Sequence, residues 1–313
     1  GFGHCSMVAI NGWFIKKRSR AFALYSLGAG GSGLTVFILA WAVNSFGWRP
    51  AAFLAGMGIF LIVIPLSLVF RHKPEQYGYL PDGEEPSEDS VSIDGSQPLT
   101  GVMASTATSV QVEHGRPSSA KVEWAQYDFS INETLRTLAF WMLILGFATR
   151  SISMTSIVVH EIAYLTDIGI PLTQAGAALG GMVFISLIGR LGFGWFGDYI
   201  DKRYLFIATY LLQALGILIL NNVTSMATVW VFVVIYGIAY GGAIPLSFSI
   251  VGEYFGRKNY ATIRGFMQFF LIPATLVGPI YAGLVFDITD SYHIAFMSFI
   301  VSLLAGTVFI FFA

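Results

Sequence analysis

Apolar positions in this chain do not alternate with polar ones at the short period of strands; they run in long windows. These windows fall near 22–43, 50–70, 135–159, 173–196, 204–220, 227–250, 260–285 and 293–313, and residues 1–14 read as the end of another. Each approaches the roughly 20 helical residues that cross a hydrocarbon layer of about 30 Å. The pattern predicts an all-α chain of about nine membrane segments.

Composition sharpens this reading. The chain is 55% hydrophobic and 11% charged, with a mean hydropathy of +0.70, where soluble domains carry roughly 25% charged residues. A soluble core could absorb many apolar residues but has no need of repeated membrane-length windows. A net charge of -1 without a basic tract leaves nothing for nucleic acid to hold. Cys5 is the only cysteine, which excludes an internal disulfide and a cysteine metal cluster. It reads as a small helix-packing residue.

Basic residues set the expected orientation. Lys16, Lys17, Arg18 and Arg20 lie in one connection, Arg71, Lys73, Arg116 and Lys121 in another, Lys202 with Arg203 in a third and Arg257 with Lys258 in a fourth. These connections alternate with ones carrying only Arg49. Bias of this kind marks the cytoplasmic side. The longest connection, 71–133, is rich in Pro, Gly, Ser and acid without apolar periodicity and reads as a cytoplasmic tether. A phosphosite near Ser87 or Ser90 was weighed there against a plain solvated linker, and the plain linker is the expectation.

The expected organisation is therefore 1–70, the last part of a first helical bundle; 71–133, the linker; and 134–313, a second bundle of six helices. Three spans before the linker and six after it predict a 6+6 protein of which about three N-terminal helices are not in this sequence. The chain opens on Gly1 and stops at Ala313 within an apolar run, and reads as a fragment of a longer membrane protein.

Charges inside the apolar windows are the candidate chemistry. A buried arginine is costly in a bilayer and is expected to face the bundle interior or a wet cavity. Arg150 lies about 24 Å along its helix at the helical rise per residue, with Glu161 eleven residues on near the same face. It is a candidate either for substrate contact or for a structural ion pair. Arg190 lies roughly 12 Å inside the end marked by Asp198, and Ser186, not an acid, stands one turn before it. An anionic substrate would supply the missing charge; the alternative is an acid or helix carbonyl elsewhere in the bundle. His160 reads as a hydrogen-bonded or snorkelling histidine near the outer end.

The stretch "GRLGFGWFGDYIDKR", residues 189–203, holds Gly192, Gly194 and Gly197, which lower the side-chain wall for a neighbouring helix. Asp198 can then accept hydrogen bonds from a neighbouring helix N-terminus. Gly197, Asp198 and Arg203 are the expected gate. In "IYGIAYGGAIPLSFSIVGEYFG", Tyr236 and Tyr240 stand one turn apart and can line a pore, while Gly237, Gly241 and Gly242 permit close packing. Glu253, Arg257 and Arg264 are expected to form an interfacial salt-bridge network. Pro245, Pro273 and Pro279 are expected to bend their helices.

These same stretches carry a resemblance. "GRLGFGWFGDYIDKR" resembles the loop signature between helices 8 and 9 of major facilitator superfamily transporters. "NGWFIKKRSRAFALYSLGAGGSG" with "FGWRPAAFLAG" resembles helices 4 to 6 of the monocarboxylate-porter and oxalate:formate-antiporter branch, and "VGPIYAGLVFDITDSYHIAF" is similar to its helices 11 and 12. The resemblance implies two six-helix bundles rocking about a central cavity. It also implies an arginine at the position of Arg190 that contacts a substrate carboxylate, often with an aspartate one turn earlier. Ser186 stands there instead.

The expected function is secondary active transport of a small organic anion, a carboxylate, by alternating access with proton coupling or exchange. The expected substrate-binding residues are Arg190, Arg150, Tyr236 and Tyr240. Transport of a neutral metabolite, sugar or drug is one alternative, and a non-transporting sensor or scaffold is another. No span offers a nucleophile with a base or a metal-ligand cluster, so no enzyme, cofactor or metal is expected. The expected partners are a small solute, protons or a counter-anion, and lipid, with the protein a monomer in the plasma or inner membrane.

Overall fold

Polar breaks in the sequence become helix starts. Ser130 and Glu133 form a reciprocal capping box that opens α4 (Ile131–Arg136), and the Thr137 hydroxyl accepts from Phe140 N–H to open α5 (Leu138–Asp167). Asp201 caps α7 (Lys202–Asn221) and Ser225 caps α8 (Met226–Phe255) in the same way. The remaining helices are α1 (Phe2–Trp13), α2 (Arg18–Gly30), α3 (Trp48–Val69), α6 (Leu172–Phe196), α9 (Tyr260–Thr289) and α10 (His293–Phe311). This computed structural model describes residues 2–30, 42–43, 45–69, 81–83 and 128–313. The side chain of Cys5, Ser87, Ser90 and most of 71–133 lie outside the described residues.

Among the described residues seven helices, α3 and α5 to α10, are long and apolar enough to cross a membrane. Residues 1–14 contribute the shorter α1, and the window 22–43 begins inside α2 and runs out of the described residues. The protein is an integral membrane protein of all-α architecture. Pro245 lies within α8, and Pro273 and Pro279 within α9; both helices continue through them.

The most intimate pairing is α6 with α8; α7 also packs on α8, α9 on α5, and α10 on α5 and α7. Its closeness has a local cause. A Cβ added at Gly189 of α6 would run into the Ile238 carbonyl of α8, and one at Gly241 of α8 into the Ser186 carbonyl of α6. Two glycines thus each receive the other helix's backbone. Inside, Phe140, Phe206, Tyr210, Phe232, Tyr236 and Phe296 are buried, while Phe184, Ile188, Leu276 and Ile280 are exposed. An apolar exterior over a close-packed interior is the arrangement a lipid environment permits.

The basic connections within the described residues, at 14–17, 197–203 and 256–259, share one end. There α2 packs on α6 and α8, and α1 reaches α8 and α9. Residues of the expected tether also dock here. Asp82, in a single 3-10 turn at Pro81–Gly83, accepts from the N–H groups of Ile15, Lys16 and Lys17 at 2.9, 2.7 and 3.2 Å. Asp128 Oδ1 likewise accepts from Arg257 and Lys258 N–H at 2.6 and 3.0 Å.

Candidate functional site

Arg190 sits on α6, only 4% exposed, held where the glycine contact brings α6 and α8 together. Its Nη1 donates to the Ser26 carbonyl of α2, and its Nε is buried without a hydrogen-bond partner. Ser186 turns its hydroxyl to the Val183 carbonyl of its own helix, not to Arg190. Among the described residues no carboxylate pairs with Arg190.

Arg150 reaches the same region from α5. Its Nη2 donates to the Tyr240 carbonyl at 3.2 Å, and its Nε is buried and unpartnered. It forms no ion pair with Glu161, both of whose oxygens are buried without a hydrogen bond among the described residues. Tyr240 is also within electrostatic reach of Arg190. Tyr236 is wholly buried with an unpartnered hydroxyl. It lies within electrostatic reach of Arg150, Tyr240 and Glu161.

The structure thus gathers Arg150, Arg190, Tyr236 and Tyr240 where α5, α6 and α8 meet. Among the described residues both cations meet backbone carbonyls and no carboxylate, which leaves their charge uncompensated there. Such a pair can receive an anion, and the guanidinium fork suits a carboxylate.

Asp198 lies at the basic end, just past α6. Its Oδ1 accepts from Ser19 N–H at 2.9 Å at the start of α2, and its Oδ2 lies 3.1 Å from Arg20 Nε, an ion pair without hydrogen-bond alignment. Burial raises the Asp198 carboxyl above its ordinary range, against the pull of the Ser19 and Arg20 backbone N–H groups and the charges of Arg20 and Lys202. Arg20 in turn stacks over Trp195, 3.7 Å from the ring centre. Gly197 completes the contact, since a Cβ there would come within 2.9 Å of Ser19 Cβ. Arg203 does not join it: it pairs with Asp201 at 3.0 Å. Burial raises the Asp201 carboxyl, but the hydrogen bonds and charge of Arg203 outweigh this and hold it below its ordinary value.

Residues 140–313 match the family described as the Major Facilitator Superfamily. The chain belongs to the Major Facilitator Superfamily. It is 25% identical to monocarboxylate transporter 12 of Rattus norvegicus over 316 residues, which cover 95% of this chain and 60% of that protein. Against monocarboxylate transporter 12 of Homo sapiens it is 24% identical over 315 residues, 95% of this chain and 57% of that protein. Monocarboxylate transporter 13 of Rattus norvegicus is 28% identical over 152 residues, 48% of this chain and 35% of that protein. The chain therefore spans about 60% of the length of monocarboxylate transporter 12.

Several side chains of this superfamily member take places other than those expected from sequence. Arg264 stands outside the expected salt-bridge network. It donates to the Ser247 carbonyl at 3.4 Å and lies 4.8 Å over the Phe248 ring, because no carboxylate packs beside it among the described residues. Glu253 pairs with Lys202, and Arg257 Nη1 donates to the Gly12 carbonyl at 2.8 Å. Gly192 lowers no wall, since a Cβ there would meet open space.

His160 is hydrogen-bonded through both ring nitrogens. Its Nε2 donates to the Pro279 carbonyl at 3.0 Å, because a carbonyl can only accept, and its Nδ1 lies 3.2 Å from the Tyr292 hydroxyl. Ser19, Arg20 and Ser26 were missed as site residues. Their partners are 164 to 179 positions away, and no local sequence signal reports such a contact.

Proposed function

We propose that this chain is part of a secondary active transporter that moves a small organic anion, a carboxylate, by alternating access with proton coupling or exchange. The observation that carries the reading is the pair Arg150 and Arg190, both meeting backbone carbonyls and, among the described residues, no carboxylate. The printed names of the relatives, monocarboxylate transporters, agree with a carboxylate cargo. Arg190 and Arg150 are the anion contacts in this reading, with Tyr236 and Tyr240 lining the site. The meeting of Asp198 and Gly197 with the start of α2 is the gate at the basic end, and Arg203 serves it only by keeping Asp201 at the start of α7. By the positive-inside rule that end and the linker 71–133 face the cytoplasm, in a plasma or inner membrane. The working unit is a monomer, its second bundle spanning 134–313.

Each arginine already gives one donor to a backbone carbonyl, which favours a second reading: transport of a neutral solute with the arginines holding helices together. Full-length protein in proteoliposomes, offered mono- and dicarboxylates beside neutral solutes, separates the two. Carboxylate flux is the expected result. Uptake of neutral solutes alone overturns the first reading.

A further inference from the structure

We propose that Glu161 carries the proton that accompanies the anion, an inference that rests on the carboxylate transport proposed above. Glu161 is 0% exposed, and among the described residues neither of its oxygens has a hydrogen-bond partner. An ionised carboxylate enclosed by protein without a hydrogen-bonding or cationic protein partner costs several kcal/mol. The enclosed arrangement therefore admits the acid in its neutral form, with a proton on one oxygen.

On α5 itself, His160 is hydrogen-bonded through both nitrogens, to Pro279 of α9 and to Tyr292 before α10. Tyr164 donates to the Leu220 carbonyl of α7 at 2.9 Å. Tyr281 of α9 packs against Phe299 of α10. On α6 the buried cation is Arg190, which meets Ser26. Arg150 is eleven residues away on the same helix, about 16 Å along its axis, and is held by Tyr240. Tyr236 of α8 is the remaining neighbour, itself buried with a hydroxyl that has no partner, and electrostatically coupled to both Glu161 and Arg150.

An arriving monocarboxylate answers one of the two positive charges of Arg150 and Arg190, and a proton taken from hydronium answers the charge of Glu161, which lies about 16 Å along the helix from Arg150 and has no cation paired with it among the described residues. One O–H bond forms at a Glu161 oxygen as one breaks in the donating hydronium, a transfer that requires a state in which Glu161 opens to one aqueous side. The Glu161 O–H bond breaks again when the rearranged site meets water on the other. Ser186, one turn before Arg190, has no ionisable group to perform this task.

The test uses full-length wild type, Glu161→Gln and Glu161→Asp in proteoliposomes, with lactate as probe. Glu161→Gln imitates the protonated acid permanently. Its lactate-for-lactate exchange should stay within about threefold of wild type, while accumulation driven by a pH gradient falls about tenfold or more. Glu161→Asp should restore part of that accumulation. Gradient-driven accumulation by Glu161→Gln equal to wild type overturns the assignment, as does wild-type exchange that ignores the gradient; both leave carboxylate transport standing. An infrared band of a protonated carboxylic acid, present in detergent-solubilised wild type and lost in Glu161→Gln, supports the assignment independently of cargo, and its absence from wild type overturns it. Wild-type protein that carries neutral solutes but no carboxylate overturns the proposed function and this coupling role with it.

Discussion

The backbone N–H of Ser19 donates to Asp198 Oδ1 at 2.9 Å across 179 residues of sequence. One carboxylate thereby caps the first turn of α2 from a different helix, and does so from a nearly buried position, its side chain 5% exposed. Helix starts expose unpaired N–H groups, and a capping oxygen lost at such a start costs about 0.5–2 kcal/mol.

Asp198→Ala removes the acceptor and the ion pair with Arg20 together. Docking of α2 against α6 should weaken by up to about 2 kcal/mol, a shift of several-fold to roughly thirtyfold in population. Cysteine-accessibility labelling at residues beside Ser19 measures it in full-length protein. Unchanged labelling with unchanged transport contradicts the gate.

Acidity should act on the same contact with a definite sign. Burial raises the Asp198 carboxyl above the ordinary aspartate value, so the docked state binds a proton more tightly than a state in which Asp198 is hydrated. Docking gains as pH falls through the raised value toward about 4, and that gain is lost as pH rises back through it. Asp198→Asn, neutral at every pH and still an acceptor, should stay docked at neutral pH and give a flat labelling profile. A pH response as steep as that of wild type in this variant sinks the idea.

Arg190→Lys keeps the charge but loses the planar fork; Arg190→Ala loses both. With Arg190 in the anion site, lactate affinity should fall about tenfold or less for Lys and about a hundredfold for Ala, while both variants fold. Equal loss of folded protein in both assigns Arg190 to helix packing through Ser26. Wild-type affinity in Arg190→Ala removes it from the site.

Gly241→Ala should strain the α6–α8 contact, because its new methyl group would meet the Ser186 carbonyl. Overpacking of this kind costs about 1–3 kcal/mol. Thermal unfolding in detergent should show it as a lowered Tm, whereas Gly192→Ala, which meets open space, should leave Tm unchanged. Equal Tm values for the two variants would show that the helices can part to admit a methyl group there.

The helices themselves were legible in the sequence. A membrane span is a local property, about 20 apolar residues whose backbone groups are satisfied within the segment, and the windows near 173–196 and 227–250 match Leu172–Phe196 and Met226–Phe255 closely. The starts at Thr137, Asp201 and Ser225 are also local, since a cap reaches only two or three residues ahead. The candidate arginines were visible for a related reason: a charge within an apolar window is conspicuous wherever it points.

What those charges meet was decided only by tertiary packing. Whether Arg150 paired with Glu161, eleven residues on, or with the Tyr240 carbonyl ninety residues away depended on how α5 rotates against α8. Whether Asp198 served Arg203 or Ser19 depended on α2 docking against α6. Periodicity along one helix states which residues share a face, and says nothing of which helix that face will touch. Sequence by itself therefore determined the spans, their caps and the charges set among them. The three-dimensional arrangement decided which charges are answered by backbone, which by acids, and which, like Glu161, by neither.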